Sequence, residues 1–163
     1  MTLPALVRHR VESLGLAPHP EGGFYREIFR SAEQVTPADG RGTRSALTLI
    51  HFLLPAGAHS RWHEVRSDEQ WTHLEGAPLE LLVIERGASA VRRVRLGPLT
   101  ENCVPTDVVP AGAWQAARAV ERYTLVACSV APGFDFADFR LVADVAGARE
   151  RIAALDRELL ALL

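Results

Sequence analysis

The sequence predicts an all-β domain, an antiparallel sandwich or barrel with one short helix at each end. Short segments with the composition of β-strands follow one another through the middle of the chain, separated by Gly, Pro, Asn and Asp. Helical periodicity occurs only near the two ends, so the middle lacks the alternation of strands and helices that builds a parallel sheet. The 163 residues fit one domain, which we expect to span residues 1–163.

The expected barrel extends over about residues 19–142 and contains ten strand-like segments. These segments are 24–30, 45–54, 59–65, 69–75, 79–86, 90–96, 106–109, 113–118, 122–131 and 136–142. Residues 31–45 are polar and contain Gly and Pro, which favours a solvated hairpin connection; a lid over the mouth of the barrel is the alternative.

The two expected helices lie outside the barrel. Over residues 4–14, apolar side chains recur at steps of three and four residues, and Gly15 follows as a C-terminal cap. Over about residues 147–162, one apolar stripe runs among charged residues, which predicts a second amphipathic helix.

Charge and hydropathy exclude several classes of partner. The formal net charge is −2 and the pI is about 6.3, so the chain lacks the basic surface that binds a nucleic acid polymer or an anionic membrane. Residues 1–16 carry charged residues within their apolar pattern and do not resemble a secretory signal, so we expect a cytoplasmic protein. Cys103 and Cys128 form no Cys-x-x-Cys pair and are expected to be reduced, without a functional role.

Polar side chains are expected to converge inside the barrel. In an extended strand over residues 59–65, alternation puts His59, Arg61 and His63 on one face. A hairpin to the next strand brings His63 close to Glu69. Such a cluster is unusual for a plain apolar core and predicts a ligand pocket.

Aromatic residues extend this predicted pocket. Alternation puts Trp71 and His73 on the same face as Glu69, where the Trp71 ring would stack on a sugar or a nucleobase. Trp62 and Trp114 are expected to face away, Trp62 in a core or an interface and Trp114 in a core.

Residues 57–76 resemble the first motif of the cupins. Gly57, His63 and Glu69 fall at the positions of its Gly, first His and Glu, and Gly76 falls at its final Gly. Val65 stands where the second His of the motif would be.

Residues 110–115 resemble the second cupin motif, Pro-x-Gly-x-x-His. Here Gln115 takes the place of the His, and Ala119 takes the place of a terminal Asn. Longer signatures resemble those of a small cupin family of bacteria and yeast that is classed as a domain of unknown function; they lie at residues 19–27, 60–63, 67–69, 110–117 and 130–136. The resemblance implies a cupin double-stranded β-helix, or jelly-roll barrel, and usually a homodimer.

The resemblance also implies a candidate metal site. Metal-dependent cupins hold Fe, Mn, Ni or Zn with imidazoles and one carboxylate. The equivalent residues here are His63, Glu69 and Gln115. Because an amide oxygen is a weaker ligand than an imidazole, we expect one divalent transition metal to bind weakly or not at all, unless His59 or His73 contributes.

The alternative is acid–base catalysis without a metal, as in the sugar-nucleotide epimerases that the chain resembles in fold. His63 would abstract a proton next to a carbonyl, and Glu69 would orient the imidazole. Arg61 would bind a carboxylate or a phosphate of the substrate. The other side chains expected to contact the substrate are Trp71, His59, His73 and Gln115.

Three functions therefore stay open for a small-molecule pocket: a metal-independent isomerase or epimerase of a sugar- or nucleotide-like ligand, a metal-dependent lyase or oxygenase, and a non-catalytic binding or sensor protein. His63 and Glu69 are also compatible with a purely structural hydrogen-bonded pair. The His-Pro-Glu-Gly-Gly segment at residues 19–23 predicts a turn that shapes either the pocket rim or a dimer contact.

Overall fold

A computed structural model describes residues 3–163. The helices are α1 (Ala5–Leu14) and α2 (Ala148–Leu155), with 3-10 helices at Phe136–Asp138, Val142–Asp144 and Arg157–Leu162. The strands are β1 (Ala17–Pro18), β2 (Phe24–Arg30), β3 (Gln34–Val35), β4 (Arg44–Ser45), β5 (Thr48–Pro55), β6 (His59–Val65), β7 (Asp68–Gly76), β8 (Leu79–Ile84), β9 (Arg92–Leu96), β10 (Thr106–Val109), β11 (Trp114–Ala119), β12 (Tyr123–Ala131) and β13 (Phe139–Leu141).

Two antiparallel sheets pack face to face as a jelly-roll barrel. One has the strand order β1-β2-β5-β12-β7-β10, and the other has the order β13-β6-β11-β8-β9. Strands distant in sequence are neighbours in both sheets, as the pairing of β5 with β12 illustrates. Phe52, Trp71 and Leu81 belong to the apolar core that both sheets supply, and this core forms the floor beneath the cavity described below.

The C-terminal helices cover the outer face of the five-stranded sheet. Trp62 on β6 packs there with Ile152 of α2, and its indole Nε1 donates a hydrogen bond to the carbonyl of Leu159 at 3.0 Å. The single helix expected over residues 147–162 is interrupted at Asp156, which is extended with φ −164°. The carboxylate of Asp156 accepts from the backbone N–H of Glu158 and so caps a separate 3-10 helix instead of continuing α2.

The segment 31–45 forms the expected hairpin connection, through the pairing of β3 with β4. Asp138 holds this segment against the barrel. Its carboxylate accepts two hydrogen bonds from Arg44, at 2.8 and 2.9 Å, and one from Arg41 at 3.3 Å. The side chains of Arg41 and Asp138 are both almost fully buried.

Asp138→Asn is therefore expected to lower the free energy of unfolding by about 3 kcal/mol, because it leaves buried guanidinium groups without their counter-charge. Urea unfolding measures this loss, and limited proteolysis should cut within residues 31–45 faster. Asp39→Asn is the control, since half-exposed Asp39 contacts the same Arg41 at 3.5 Å and should cost less than about 1 kcal/mol. Equal losses in the two variants would contradict this account.

No helix among residues 3–163 combines the length and the apolar character needed to cross a membrane.

Candidate active site in the barrel

A cavity of 490 Å³ opens between the two sheets. Its polar wall comes from the turn before β2, from β6 and from β7, and contains His19, Glu21, His63 and Glu69. Its apolar wall contains Tyr25, Phe52, Trp71, Phe134, Phe136 and Phe139. A volume of this size suits a ligand of the size of a metabolite.

Two glycines bring Glu21 into the barrel. Gly22 and Gly23 have positive φ angles of 112° and 70°. A Cβ atom on Gly22 would lie 2.5 Å from the carbonyl oxygen of His59, and one on Gly23 would lie 2.7 Å from that of Leu53. The turn therefore packs its backbone directly on β6 and β5, and the Glu21 side chain is inserted between the sheets, where it is 6% exposed.

A β-bulge in β6 sets which side chains face Glu21. His63 pairs with Gln115, but Ser60 pairs with Ala117, so β6 carries one extra residue between these pairs. Ser60 and His63 consequently point to the same side, and Ser60 Oγ donates to Glu21 Oε1 at 2.9 Å. Arg61 lies in the bulge, and its guanidinium donates to the carbonyl of Pro20 instead of sharing the face of His63.

The hydrogen bonds of His63 define how its ring is protonated. Nδ1 lies 2.8 Å from the carbonyl oxygen of Arg61, which accepts but cannot donate, so Nδ1 carries a proton. Nε2 of the neutral ring is then an acceptor, and it lies 3.2 Å from Glu21 Oε2. A protonated Glu21 carboxyl group would therefore be the donor and Nε2 the acceptor of a proton between these two side chains. The carboxyl group that lies beside His63 Nε2 is thus Glu21, in the place that the sequence predicts for Glu69.

Glu69 is held by a chain of hydrogen bonds from behind the cavity wall. Trp71 Nε1 donates to Gln115 Oε1 at 3.0 Å, and Gln115 Nε2 donates to Glu69 Oε2 at 2.6 Å. Because an indole N–H can only donate, the Gln115 amide can have only this orientation. Gln115 is fully buried, and its amide oxygen accepts the indole N–H instead of facing the cavity.

The predicted metal ligands do not fit a metal ion in this arrangement. Gln115 would offer its oxygen, but that atom accepts from Trp71, and the amide nitrogen points towards Glu69. Within residues 3–163, no group of three His, Cys, Asp or Glu side chains is arranged to hold a metal ion.

Burial shifts the pKa values of the cavity groups towards their neutral forms. It raises the pKa of Glu21 to about 8, although the hydrogen bond from Ser60 acts in the opposite direction. It likewise raises the pKa of Glu69 to about 7, although the nearby His63 lowers it. Burial also lowers the pKa of His63, and it lowers that of His19 to about 4, with a smaller contribution from His63. Two carboxyl groups that titrate near neutral pH thus share the cavity with two neutral imidazoles.

The structure brings together only part of the predicted site. His63, Glu69 and Trp71 line the cavity, whereas Gln115 lies behind the wall. Three further residues that strand alternation put on this face do not line the cavity: Arg61, His59 and His73. The bulge at Arg61 in β6 ends the alternation that would have aligned His59 with His63. His73 lies at a bulge of β7, with its Nε2 buried and without a hydrogen-bond partner among residues 3–163.

Sequence reasoning missed His19 and Glu21 as members of the site. It treated residues 19–23 as a turn at the pocket rim or at a dimer contact. The signal was present in the two glycines that follow Glu21, since adjacent glycines permit a backbone to approach a neighbouring strand closely.

Comparison with known proteins agrees with the fold and the motifs. The family described as "Cupin superfamily (DUF985)" matches residues 8–142. A solved structure of a hypothetical protein from Leishmania major is 32% identical, with a TM-score of 0.80 and coverage of 95% of this chain and 94% of that chain. A protein from Shewanella oneidensis is 30% identical, with a TM-score of 0.76 and coverage of 99% and 95%. No curated protein matches the sequence.

The fold and the motifs thus define a cupin. The chain belongs to the DUF985 family of the cupin superfamily, and the predicted all-β jelly roll with short terminal helices is confirmed. Oxalate decarboxylase from Bacillus subtilis is similar to this chain in fold alone, at 17% identity and a TM-score of 0.59, over 90% of this chain and 36% of that chain.

Proposed function

We propose that the cavity catalyses proton transfer on a small polar molecule without a metal ion, in the manner of an isomerase or epimerase. The observation that carries this proposal is the contact of 3.2 Å between Glu21 Oε2 and His63 Nε2 beside a second buried carboxyl group, Glu69. General acid–base catalysis is most effective when the pKa of the catalytic group is close to the working pH. Both carboxyl groups meet this condition.

The two carboxyl groups have separate roles in the proposed reaction. Above pH 7, Glu69 is the more readily ionised of the two and removes a proton from a carbon next to a carbonyl. Glu21 retains its proton and donates it to the carbonyl oxygen as negative charge develops there. The substrate oxygen returns this proton to Glu21 when Glu69 delivers its proton back to carbon. His63 stays neutral throughout, because the Arg61 carbonyl keeps its Nδ1 protonated, and its Nε2, 3.2 Å from Glu21 Oε2, positions the Glu21 carboxyl group.

Gln115 positions the base. Its amide N–H fixes Glu69 Oε2 at 2.6 Å and leaves the other carboxylate oxygen for the substrate. Trp71 holds the amide in turn and also lines the cavity. In this proposal, His63 and Glu69 remain in the proton-transfer site that the sequence predicts, but Glu69 takes the role of base that the sequence analysis gives to His63, and Glu21 is added. The homodimer and the cytoplasmic location expected from the sequence stay predictions.

Exchange of carbon-bound hydrogen for deuterium tests the proposal. The protein is incubated in D₂O with a panel of aldoses, ketoses and α-amino ketones, and loss of the proton signal next to the carbonyl is followed by NMR. We expect exchange with at least one compound and a roughly hundred-fold or larger loss of rate in Glu21→Gln and in His63→Gln.

Glu64→Gln is the matched control for this experiment. Glu64 is a buried carboxylate adjacent to His63, but it lies outside the cavity and accepts from Trp114 Nε1 at 3.2 Å. This variant should retain the exchange rate. Exchange that is lost with a chelator and restored by Fe, Mn, Ni or Zn would support a metal-dependent lyase or oxygenase instead. Binding without exchange across the panel would support a non-catalytic sensor.

A further inference from the structure

The cavity contains little positive charge. The chain has no lysine, so its basic side chains are all arginine or histidine. Of the arginines, only Arg30 lines the cavity. Glu27 engages this guanidinium with both carboxylate oxygens, at 2.9 and 2.7 Å, and the carbonyl of Phe134 accepts a further hydrogen bond. Arg30 is therefore already neutralised by a partner in the wall.

Carboxyl groups outnumber this one cation in the wall. Glu21 and Glu69 lie deep in the cavity, and Glu27 and Asp135 also line it. One oxygen of Asp135 accepts from the backbone N–H of Ala137 at 2.8 Å, which fixes the side chain at the start of a 3-10 helix. An anionic ligand would find only Arg30, already paired with Glu27, to attract it, whereas a cation would find Glu69 in the depth of the cavity and Glu27 and Asp135 in its wall.

Aromatic rings supply the rest of the wall. His63 stacks on Phe139 with ring centres 5.4 Å apart, and Phe134 meets Phe136 edge to face at 5.0 Å. The exposed Phe136 extends this cluster to the protein surface. Faces of aromatic rings attract cations and stack on flat ligands. Rings and carboxyl groups therefore favour the same kind of ligand.

We propose that this cavity selects a small, flat organic cation with N–H bonds, such as an amidine or an amino-substituted heterocycle, over an anion of the same shape. The inference rests on the proposed function, because it names the substrate class of the same cavity: a substrate of the proposed reaction carries this cationic group together with a carbonyl group. This cationic ligand differs from the sugar-nucleotide or carboxylate ligand that the sequence predicts with Arg61 in the pocket. In the structure, Arg61 donates to the Pro20 carbonyl, so the side chain that was expected to bind an anion is absent from the cavity wall.

Three probes of nearly the same shape but different charge test this inference. Benzamidinium is positive, benzamide is neutral and benzoate is negative, and each carries a planar ring. Calorimetric titration of the full chain at pH 7.5 should give the affinity order benzamidinium, benzamide, benzoate. Because a hydrogen bond to a charged group adds affinity, benzamidinium should bind at least about tenfold more tightly than benzamide.

Variants separate the cavity carboxyl groups from general charge effects. Glu69→Gln should reduce the preference for benzamidinium over benzamide to less than about threefold, because the amide retains the shape but loses the charge. Glu21→Gln should change the preference less than Glu69→Gln, because burial raises the pKa of Glu21 to about 8 and this carboxyl group keeps most of its proton at pH 7.5. Glu64→Gln should retain the full preference, since this carboxylate lies outside the cavity. Circular dichroism confirms that each variant is folded before titration.

Several results would overturn the inference. These are benzoate binding as tightly as benzamidinium, no binding of benzamidinium at millimolar concentration, or an unchanged preference in folded Glu69→Gln. Each leaves proton transfer intact as a function, because deuterium exchange is measured separately. Conversely, a preference for benzamidinium without deuterium exchange on any compound of the panel would support the ligand class and reject the catalytic role.

Discussion

Gly23→Ala is expected to lower the free energy of unfolding by about 3 kcal/mol. Roughly 1–2 kcal/mol arises from the left-handed backbone at φ 70°, and a similar amount arises from steric overlap. The added Cβ would approach the Leu53 carbonyl oxygen to 2.7 Å and the Leu54 side chain to 2.8 Å. Relief of this overlap requires the turn to move away from β5 and to withdraw Glu21 from His63.

Gly40→Ala separates backbone strain from close packing. Gly40 has a similar φ of 75°, but a Cβ placed there meets no atom within 4 Å. Its substitution should cost only the backbone contribution of about 1–2 kcal/mol. Chemical unfolding of both variants measures the difference. Equal losses of unfolding free energy in the two variants would show that the turn does not pack tightly on the strands. Close packing would then no longer explain the position of Glu21.

The second large effect is a loss of stability as the pH rises from 6.5 to 8. Glu21 titrates at about 8 in the folded protein, against an ordinary value of 4.5. Between these two values it is protonated only when folded, so each rise in pH favours the unfolded chain. Each pH unit lowers the free energy of unfolding by up to about 1.4 kcal/mol for each such carboxyl group. Glu69 adds to this slope up to its own pKa of about 7.

The histidines restrict the effect to this pH window. His19 and His63 have lowered pKa values when folded, so they stay neutral while the unfolded chain binds protons below pH 6.5. Below pH 6.5, these two histidines therefore increase the free energy of unfolding as the pH rises. This contribution opposes that of the carboxyl groups in the same pH range. Above 6.5 the carboxyl groups act alone, and above about 8 their contribution is constant.

Glu21→Gln should flatten this decline, because the amide does not titrate. Urea unfolding at pH 6.5, 7.25 and 8 gives the slope, and Glu64→Gln should keep the slope of the unmodified chain. An identical slope in Glu21→Gln would mean that Glu21 is ionised in the folded protein. Donation of a proton from Glu21 to His63 Nε2 would then be ruled out.

The strands and terminal helices could be predicted because they depend on neighbouring residues. Alternation over residues 59–65 gives β6 its correct bounds, since each side chain of a strand is directed by the local backbone. The break at Asp156 was not predicted, because the apolar stripe of residues 147–162 continues across it. A side chain that bonds to the backbone two residues later overrides that periodicity.

The candidate site was predicted less completely because it depends on contacts across the chain. Glu21 and Ser60 are 39 residues apart, and no local pattern links them. The bulge in β6 becomes visible only through the register with β11, and it removes Arg61 from the face that simple alternation gives it. His63 and Glu69 were found because motif spacing carried information that alternation alone lacks.

The amide of Gln115 also determines how Glu69 is connected to the interior of the barrel. An imidazole at this position could take up and pass on a proton, but a carboxamide does neither near neutral pH. Cys128 lines the cavity next to Glu69, and burial raises the pKa of its thiol well above the usual range, so it keeps its proton. Glu69 is thus insulated on its inner side, and protons reach or leave it only by way of the cavity that holds the ligand. Closure of the cavity by a bound ligand would therefore isolate this carboxyl group from bulk water during a reaction.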